Sequence, residues 1–205
     1  MHNIKEYTNF KYYKLIIAIA IPMIISNIST PILGIVDTSI IGRISIEQIG
    51  AIAIGSSLLS FVYFCFSFFR MGTTGLIAQA WGINDINNIY RILKSNMFIA
   101  FLCSLICIPL ILIFKNFLLD IYTTDIEIHN HASLYINIRI FGAPATFINF
   151  IIFGFLLGSK KPWELLKLVL FMNLLNIILD LYFGLYLSMN LKGIAYGTLI
   201  SEFSG

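Results

Sequence analysis

The chain has 205 residues, of which 59% are hydrophobic and only 11% are charged. A soluble domain has about 25% charged residues, so this composition excludes an ordinary water-soluble domain. The net charge of +3 is small, and the basic residues do not form the clustered patch that is typical of nucleic-acid binding. The composition therefore indicates an integral membrane protein.

Apolar segments follow one another along the chain, and each of the first five reaches the roughly 20 residues needed to cross a bilayer. We predict spans at about 15–41, 49–80, 89–114, 132–158 and 164–187, and a sixth at 191–205. The sixth has about 15 residues, so we expect an incomplete, truncated span. Since a segment in lipid must satisfy its own backbone hydrogen bonds, residues 1–205 are predicted to form one all-α polytopic membrane lobe.

The basic residues of the connections predict the orientation of this lobe. One side carries most of them: Lys5, Lys11, Lys14, Arg91, Lys94, Lys160, Lys161 and Lys167. The opposite connections contain Arg43, Lys115 and Lys192, and the stretch from Asp120 to Glu127 is acidic. Because cytoplasmic connections are enriched in Lys and Arg, we predict a multi-pass protein of the inner (plasma) membrane with a cytoplasmic N-terminus.

Polar side chains inside two of the spans form stripes. A charge at the bilayer centre costs about 2.5–3.5 kcal/mol on insertion scales, so a charged residue within a span is expected to have a structural or functional role. Three- and four-residue steps place one set on a single face of the first span: Asn27, Thr30, Gly34 and Asp37. The same spacing holds on the fifth span for Asn173, Asn176 and Asp180. We predict a polar cavity lined by the two stripes; alternatively, each aspartate reaches water at the membrane surface.

Other polar groups are predicted at a similar depth, roughly 6–11 Å below the outer surface by the helical rise. Arg139 in the fourth span is a cavity-lining candidate or pairs with one of the aspartates, and Thr198 lies in the sixth. Glu202 should make that last helix frayed or shallow, because a carboxylate resists burial in lipid. Gly193 and Gly197 form a small-residue pair that predicts a helix-packing face.

Motifs for hydrolytic chemistry are absent from the sequence. It contains no HExxH zinc motif, no GxSxG elbow and no Walker-type phosphate loop. The cysteines Cys65, Cys103 and Cys107 lie in apolar runs and lack the spacing of a metal site. We therefore expect a protein that is not an enzyme.

Several longer segments resemble one known family. The segment AIPMIISNISTPILGIVDTSIIGR resembles the first helix of the multidrug and toxic compound extrusion (MATE) family, and FRMGTTGLIAQAWG resembles the end of its second helix. GAPATFINFIIFGFLLGSKKP is similar to its fourth helix, and NLLNIILDLYFGLYLSMNLKGIAYGTLISE to its fifth and sixth. The RMGTTGL and VDT patterns are typical of the DinF-like branch. The resemblance covers nearly the whole chain in the right order.

The resemblance implies a transporter built from two six-helix lobes, of which this chain is the N-terminal one. The implied partners are the lipid bilayer, a small organic substrate that is cationic or xenobiotic, and a missing C-terminal lobe. The implied activity is export in exchange for protons or sodium ions, because the sequence has no nucleotide site to drive transport. No cofactor is expected, and the coupling ion is a proton or sodium.

The resemblance also implies roles for individual residues. Asp37 matches the first-helix aspartate that is central to cation coupling in that branch, and Asn176 and Asp180 match the polar residues of its fifth helix. Thr198 matches a sixth-helix threonine, and Asp37 and Asp180 are possible sodium ligands. Leu33 stands where some relatives carry an aromatic residue, so the hydrogen-bond network here differs from theirs.

Two alternatives to an exporter stay open from the sequence. One is a non-transporting remnant of such a transporter, since the sixth span is incomplete. The other is a lipid-linked oligosaccharide flippase of the same superfamily, which would line its cavity with several arginines; here Arg139 is the candidate. The sequence names neither the substrate nor the coupling ion.

Overall fold

The computed structural model describes residues 10–42 and 45–205, which form helices joined by short connections. The helices are α1 (Phe10–Ile41), α2 (Ile46–Cys65), α3 (Phe68–Gly82), α4 (Ile86–Tyr122), α5 (Ile126–Arg139), α6 (Ala143–Gly158), α7 (Pro162–Asp180) and α8 (Asn190–Phe203). A 3-10 turn, Ile140–Gly142, joins α5 to α6, and a π-helical segment, Leu181–Tyr186, continues α7. Lys5, Arg43 and the side chain of Thr30 lie outside the described residues.

Five segments of the described chain are long and apolar enough to cross a membrane: Ile16–Ile40, Ile46–Gly82, Ile86–Tyr122, Ile126–Gly158 and Pro162–Tyr186. The all-α membrane fold is therefore confirmed, and α8 occupies the predicted sixth position. The third and fourth helical segments extend beyond the limits of 89–114 and 132–158, because hydropathy marks the lipid-facing part of a helix and not its ends. The acidic connection shrinks accordingly, and Asp125 Oδ1 caps α5 by accepting from the backbone N–H of Glu127 at 2.8 Å.

The second span is broken in the middle, although the sequence predicted it to be continuous. At Phe66 and Ser67 the backbone makes tight bonds three residues back, from Phe66 N–H to Tyr63 O and from Ser67 N–H to Phe64 O, both at 3.0 Å. Neither glycine nor proline marks this position, so the sequence carried no signal for it. The second span therefore consists of two helices, α2 and α3.

The fourth span is broken at the 3-10 turn. Pro144 follows in the first turn of α6, where its missing N–H would have no helical partner in any case. The two breaks lie side by side, since the rings of Phe66 and Phe147 are 4.4 Å apart between centroids. In addition, the Tyr63 hydroxyl donates to the backbone oxygen of Arg139 at 3.4 Å.

The broken spans pack as matched pairs, α2 on α5 and α3 on α6. In the second pair the backbones approach closely, because a Cβ added to Gly154 would lie 2.7 Å from Arg70 O, and one added to Gly158 would lie 2.8 Å from Thr74 O. The fully buried side chains lie mainly between α2, α4, α5, α6 and α8: Leu119, Ile136, Ile140, Phe147, Ile151 and Ile194. The remaining principal contacts join α7 to α1 and to α8.

Candidate functional site

The contact between α1 and α7 brings Asp37 and Asp180 together. Asp37 is 8% exposed and Asp180 has no exposed surface. Their side chains, here called the carboxyl pair, lie close enough to interact electrostatically. Two ionised carboxylates so close together in a poorly screened site repel each other strongly. The pair therefore favours a bound proton or cation.

The oxygens around the carboxyl pair are left without donors. Oδ1 of Asp37, both carboxyl oxygens of Asp180 and Oδ1 of Asn176 are buried and find no hydrogen-bond partner among the described residues. Buried polar atoms are nearly always satisfied in folded proteins, by protein groups, water or ions. Oxygen-only ligands suit hard cations, so these residues fit a proton or a sodium ion.

A hydrogen bond between α7 and α8 holds Asn176 in place. Its side-chain Nδ2 donates to Thr198 Oγ1 at 3.2 Å, and the Thr198 hydroxyl donates in turn to the backbone oxygen of Ile194 at 2.9 Å. Asn176 is 1% exposed. Because its amide nitrogen is engaged in this way, its amide oxygen is left available as an acceptor one helical turn before Asp180.

Helix α8 approaches α7 through the predicted small-residue pair. A Cβ on Gly193 would lie 2.6 Å from Phe183 O, and a Cβ on Gly197 would overlap Asp180 Oδ1. This packing face was predicted correctly. The tight packing at Gly197 contributes to the burial of Asp180, which has no exposed surface.

Two other members of the predicted stripes are less buried than the aspartates. Asn27 is exposed on α1. Asn173 is half-buried, and its Nδ2 has no hydrogen-bond partner in the described part of the chain. The structure thus gathers Asp37, Asn176 and Asp180 with Thr198 and leaves Asn27 exposed.

Arg139 does not pair with either aspartate, so that interpretation is wrong. Its Nη1 lies 2.8 Å from Oε2 of Glu202, and its Nη2 donates to Oε1 at 2.9 Å. The side chains are 10% and 16% exposed, respectively. The prediction of a frayed last helix is also wrong, because Glu202 is neutralised by this ion pair and α8 is regular to Phe203.

Glu202 is held by two further groups that the sequence analysis missed. Asn149 Nδ2 on α6 donates to its backbone oxygen at 2.8 Å. A Cβ on Gly142, in the 3-10 turn, would overlap Oε2 of Glu202, so only glycine leaves room for the carboxylate there. The available signal was the four-residue spacing of Thr198 and Glu202, which puts both on one face of α8.

The family model described as MatE matches residues 22–182. This chain belongs to the MatE family. That is a family of transporters and not of enzymes, and the MatE chain is accordingly a multi-pass membrane protein. The suspected resemblance is confirmed.

The MatE chain is similar to DNA damage-inducible protein F of Escherichia coli (strain K12), with 35% identity over 191 residues. It is also similar to the probable multidrug resistance protein NorM of Acinetobacter baylyi, with 28% identity over 150 residues. These matches cover 91% and 72% of this chain but 41% and 33% of the relatives. The chain therefore spans well under half the length of these curated relatives.

A solved structure supports the same fold. The outward-facing conformation of a multidrug resistance MATE family transporter superposes with a TM-score of 0.86 at 20% identity. The match covers 93% of this chain and 42% of that one. The fold is thus that of the N-terminal half of MATE transporters.

Proposed function

We propose that this chain is the N-terminal lobe of a cation-coupled antiporter that exports organic, mainly cationic or xenobiotic compounds. The carboxyl pair of Asp37 and Asp180 binds the coupling ion, a proton or sodium, and Asn176 and Thr198 complete the site. The observation that carries the proposal is the meeting of two buried carboxyl groups across α1 and α7 with their oxygens unpartnered. The chain lies in the inner (plasma) membrane with its N-terminus in the cytoplasm.

The exchange follows from charge balance in a buried site. Before the coupling ion binds, the two carboxylates repel each other. A proton on one carboxyl group, or a sodium ion shared by Asp37, Asp180 and the Asn176 oxygen, removes that repulsion. An organic cation that enters nearby supplies a competing positive charge and displaces the coupling ion. The organic cation and the coupling ion therefore weaken each other's binding by the same coupling free energy.

The flippase alternative receives less support from the geometry. Arg139 is the arginine that would face an anionic lipid-linked substrate, and its charge is already neutralised by Glu202. The pair of buried carboxyl groups instead presents negative charge, which suits a cationic substrate.

Proton release tests the proposal directly. We would reconstitute the 205-residue chain in lipid nanodiscs in weakly buffered solution and add tetraphenylphosphonium, a lipophilic organic cation, or sodium chloride. Protons should be released on addition, and Asp37→Asn or Asp180→Asn should abolish the release, because an amide cannot bind and release a proton. Asp120→Asn, at a carboxylate that is 72% exposed on α4, is the matched control and should release protons like the wild type.

The arms of this experiment separate the coupling ions. Proton release by sodium alone shows that sodium and protons compete for the carboxyl pair. Release by tetraphenylphosphonium but not by sodium indicates proton coupling. Release that survives in both Asp37→Asn and Asp180→Asn would remove these residues from the mechanism, and no release from the wild-type chain would favour the remnant alternative.

A further inference from the structure

The buried ion pair of Arg139 and Glu202 connects most of the lobe at one point. Arg139 ends α5, its backbone oxygen accepts from Tyr63 of α2, and its guanidinium makes two parallel bonds to Glu202 of α8. Asn149 of α6 donates to the backbone of the same glutamate. A two-bonded arginine–carboxylate contact fixes direction as well as distance. The pair thus ties α8 to the half of the lobe that does not contain the carboxyl pair.

The turn of α8 that precedes Glu202 meets the proposed coupling site through two neighbouring residues, Gly197 and Thr198. Thr198, one turn earlier, accepts the hydrogen bond from Asn176 at 3.2 Å. Gly197 lies directly against Asp180. Small residues at this face allow close approach but do not fix how far α8 slides along α7. A slide of a single residue is about 1.5 Å, which is enough to break the bond between Asn176 and Thr198.

We infer that the Arg139–Glu202 pair is a positioning device for the proposed coupling site: it sets the axial register of α8 so that Thr198 and Gly197 engage Asn176 and Asp180. Neither Arg139 nor Glu202 contacts the transported ion. The inference rests on the proposed function, since it assigns the pair a task at that site. A buried ion pair seldom adds net stability over apolar packing, but it is well suited to specifying a register.

A different reading is that Arg139 acts on the carboxyl pair through its charge, which reaches both Asp37 and Asp180. The two readings differ in what Arg139→Lys does. Lysine keeps the positive charge but loses the two-bonded geometry. Positioning predicts weaker cation binding in this variant, whereas a purely electrostatic role predicts wild-type binding.

The test measures binding of radiolabelled tetraphenylphosphonium to the 205-residue chain in nanodiscs, together with the thermal unfolding midpoint of each variant. Arg139→Lys and Glu202→Gln should raise the concentration for half-saturation about tenfold, within the usual range for coupling between two sites. The exchanged double variant, Arg139→Glu with Glu202→Arg, restores a two-bonded pair and should bring binding back towards wild type. Glu164→Gln, which removes the exposed pair with Lys167, is the control and should bind normally.

The outcomes separate the inference from the proposed function. If the wild-type chain shows no binding that depends on Asp37, the proposed function fails. If binding depends on Asp37 but Arg139→Lys and Glu202→Gln bind like wild type, with or without a lower unfolding midpoint, the positioning role is refuted. If a single variant does not fold, the exchanged double variant decides: folding with wild-type affinity supports the inference, and folding with tenfold weaker binding overturns it.

Discussion

The α-carbon of Gly197 packs directly on the carboxyl group of Asp180, so that even one added methyl group would overlap Oδ1. Helix α8 thus contacts α7 at Asp180, which is proposed to bind the coupling ion. Side-chain volume at position 197 and ion binding at position 180 are therefore linked by contact.

We predict that Gly197→Ala destabilises the lobe by about 1–3 kcal/mol, the usual cost of overpacking, and abolishes proton release by organic cations. Gly72→Ala is the matched control, because Gly72 lies in α3 with nothing near its missing side chain. That substitution should stabilise α3 by about 0.5–1 kcal/mol through helix propensity alone. Unfolding in detergent and proton release in nanodiscs would measure both effects; normal release from Gly197→Ala would contradict the contact argument.

The hydroxyl of Thr198 can be tested by a pair of substitutions. Thr198→Val keeps the shape but removes the acceptor for Asn176, leaving a buried amide unpaired at a cost of about 1–3 kcal/mol. Thr198→Ser keeps the acceptor. We expect cation binding to weaken in the valine variant and to persist in the serine variant, as measured by tetraphenylphosphonium saturation. Equal binding by the two variants would show that the hydrogen bond at 3.2 Å has no part in the site.

The proposed orientation predicts which connections a membrane-impermeant thiol reagent reaches in intact cells. After removal of the native cysteines, Asp125→Cys should be labelled from outside, because it lies in the connection between α4 and α5. Lys160→Cys, in the exposed connection between α6 and α7, should be labelled only after the membrane is permeabilised. The reverse pattern would invert the topology drawn from the basic residues.

Export should require a second lobe. Alternating access in such transporters needs one bundle to move against another around the site, and the described helices form one bundle. We expect no efflux of an organic cation from cells that express the 205 residues alone, and gradient-dependent efflux when a second lobe is supplied. Asp37→Asn in the two-lobe protein should then abolish efflux. Gradient-dependent efflux by the single chain would instead point to a functional dimer.

The sequence was sufficient for those parts of the fold that depend on local pattern. Hydropathy located the spans, and three- and four-residue spacing identified the faces of α1 and α7 that end in Asp37 and Asp180. The break in the second span was missed because Phe66 and Ser67 carry no glycine or proline signal. The break in the fourth span has Gly142 and Pro144 beside it, but the hydropathy pattern runs through them without interruption. The partner of Arg139 was also missed, since Glu202 lies 63 residues away in the chain and no local pattern links residues so far apart.

The two broken spans have a mechanical consequence. Their interruptions lie side by side, where Phe66 contacts Phe147. The four helices therefore form two layers, one of α2 with α5 and the other of α3 with α6. In the layer of α3 and α6, the two backbones are in close contact at Gly154 and Gly158. The layer of α2 and α5 holds α8 through Arg139, and Asn149 of α6 in the second layer donates to the backbone oxygen of Glu202. Helix α8 is therefore bonded to both layers next to the breaks, so a tilt of one layer against the other would strain the contacts of Glu202.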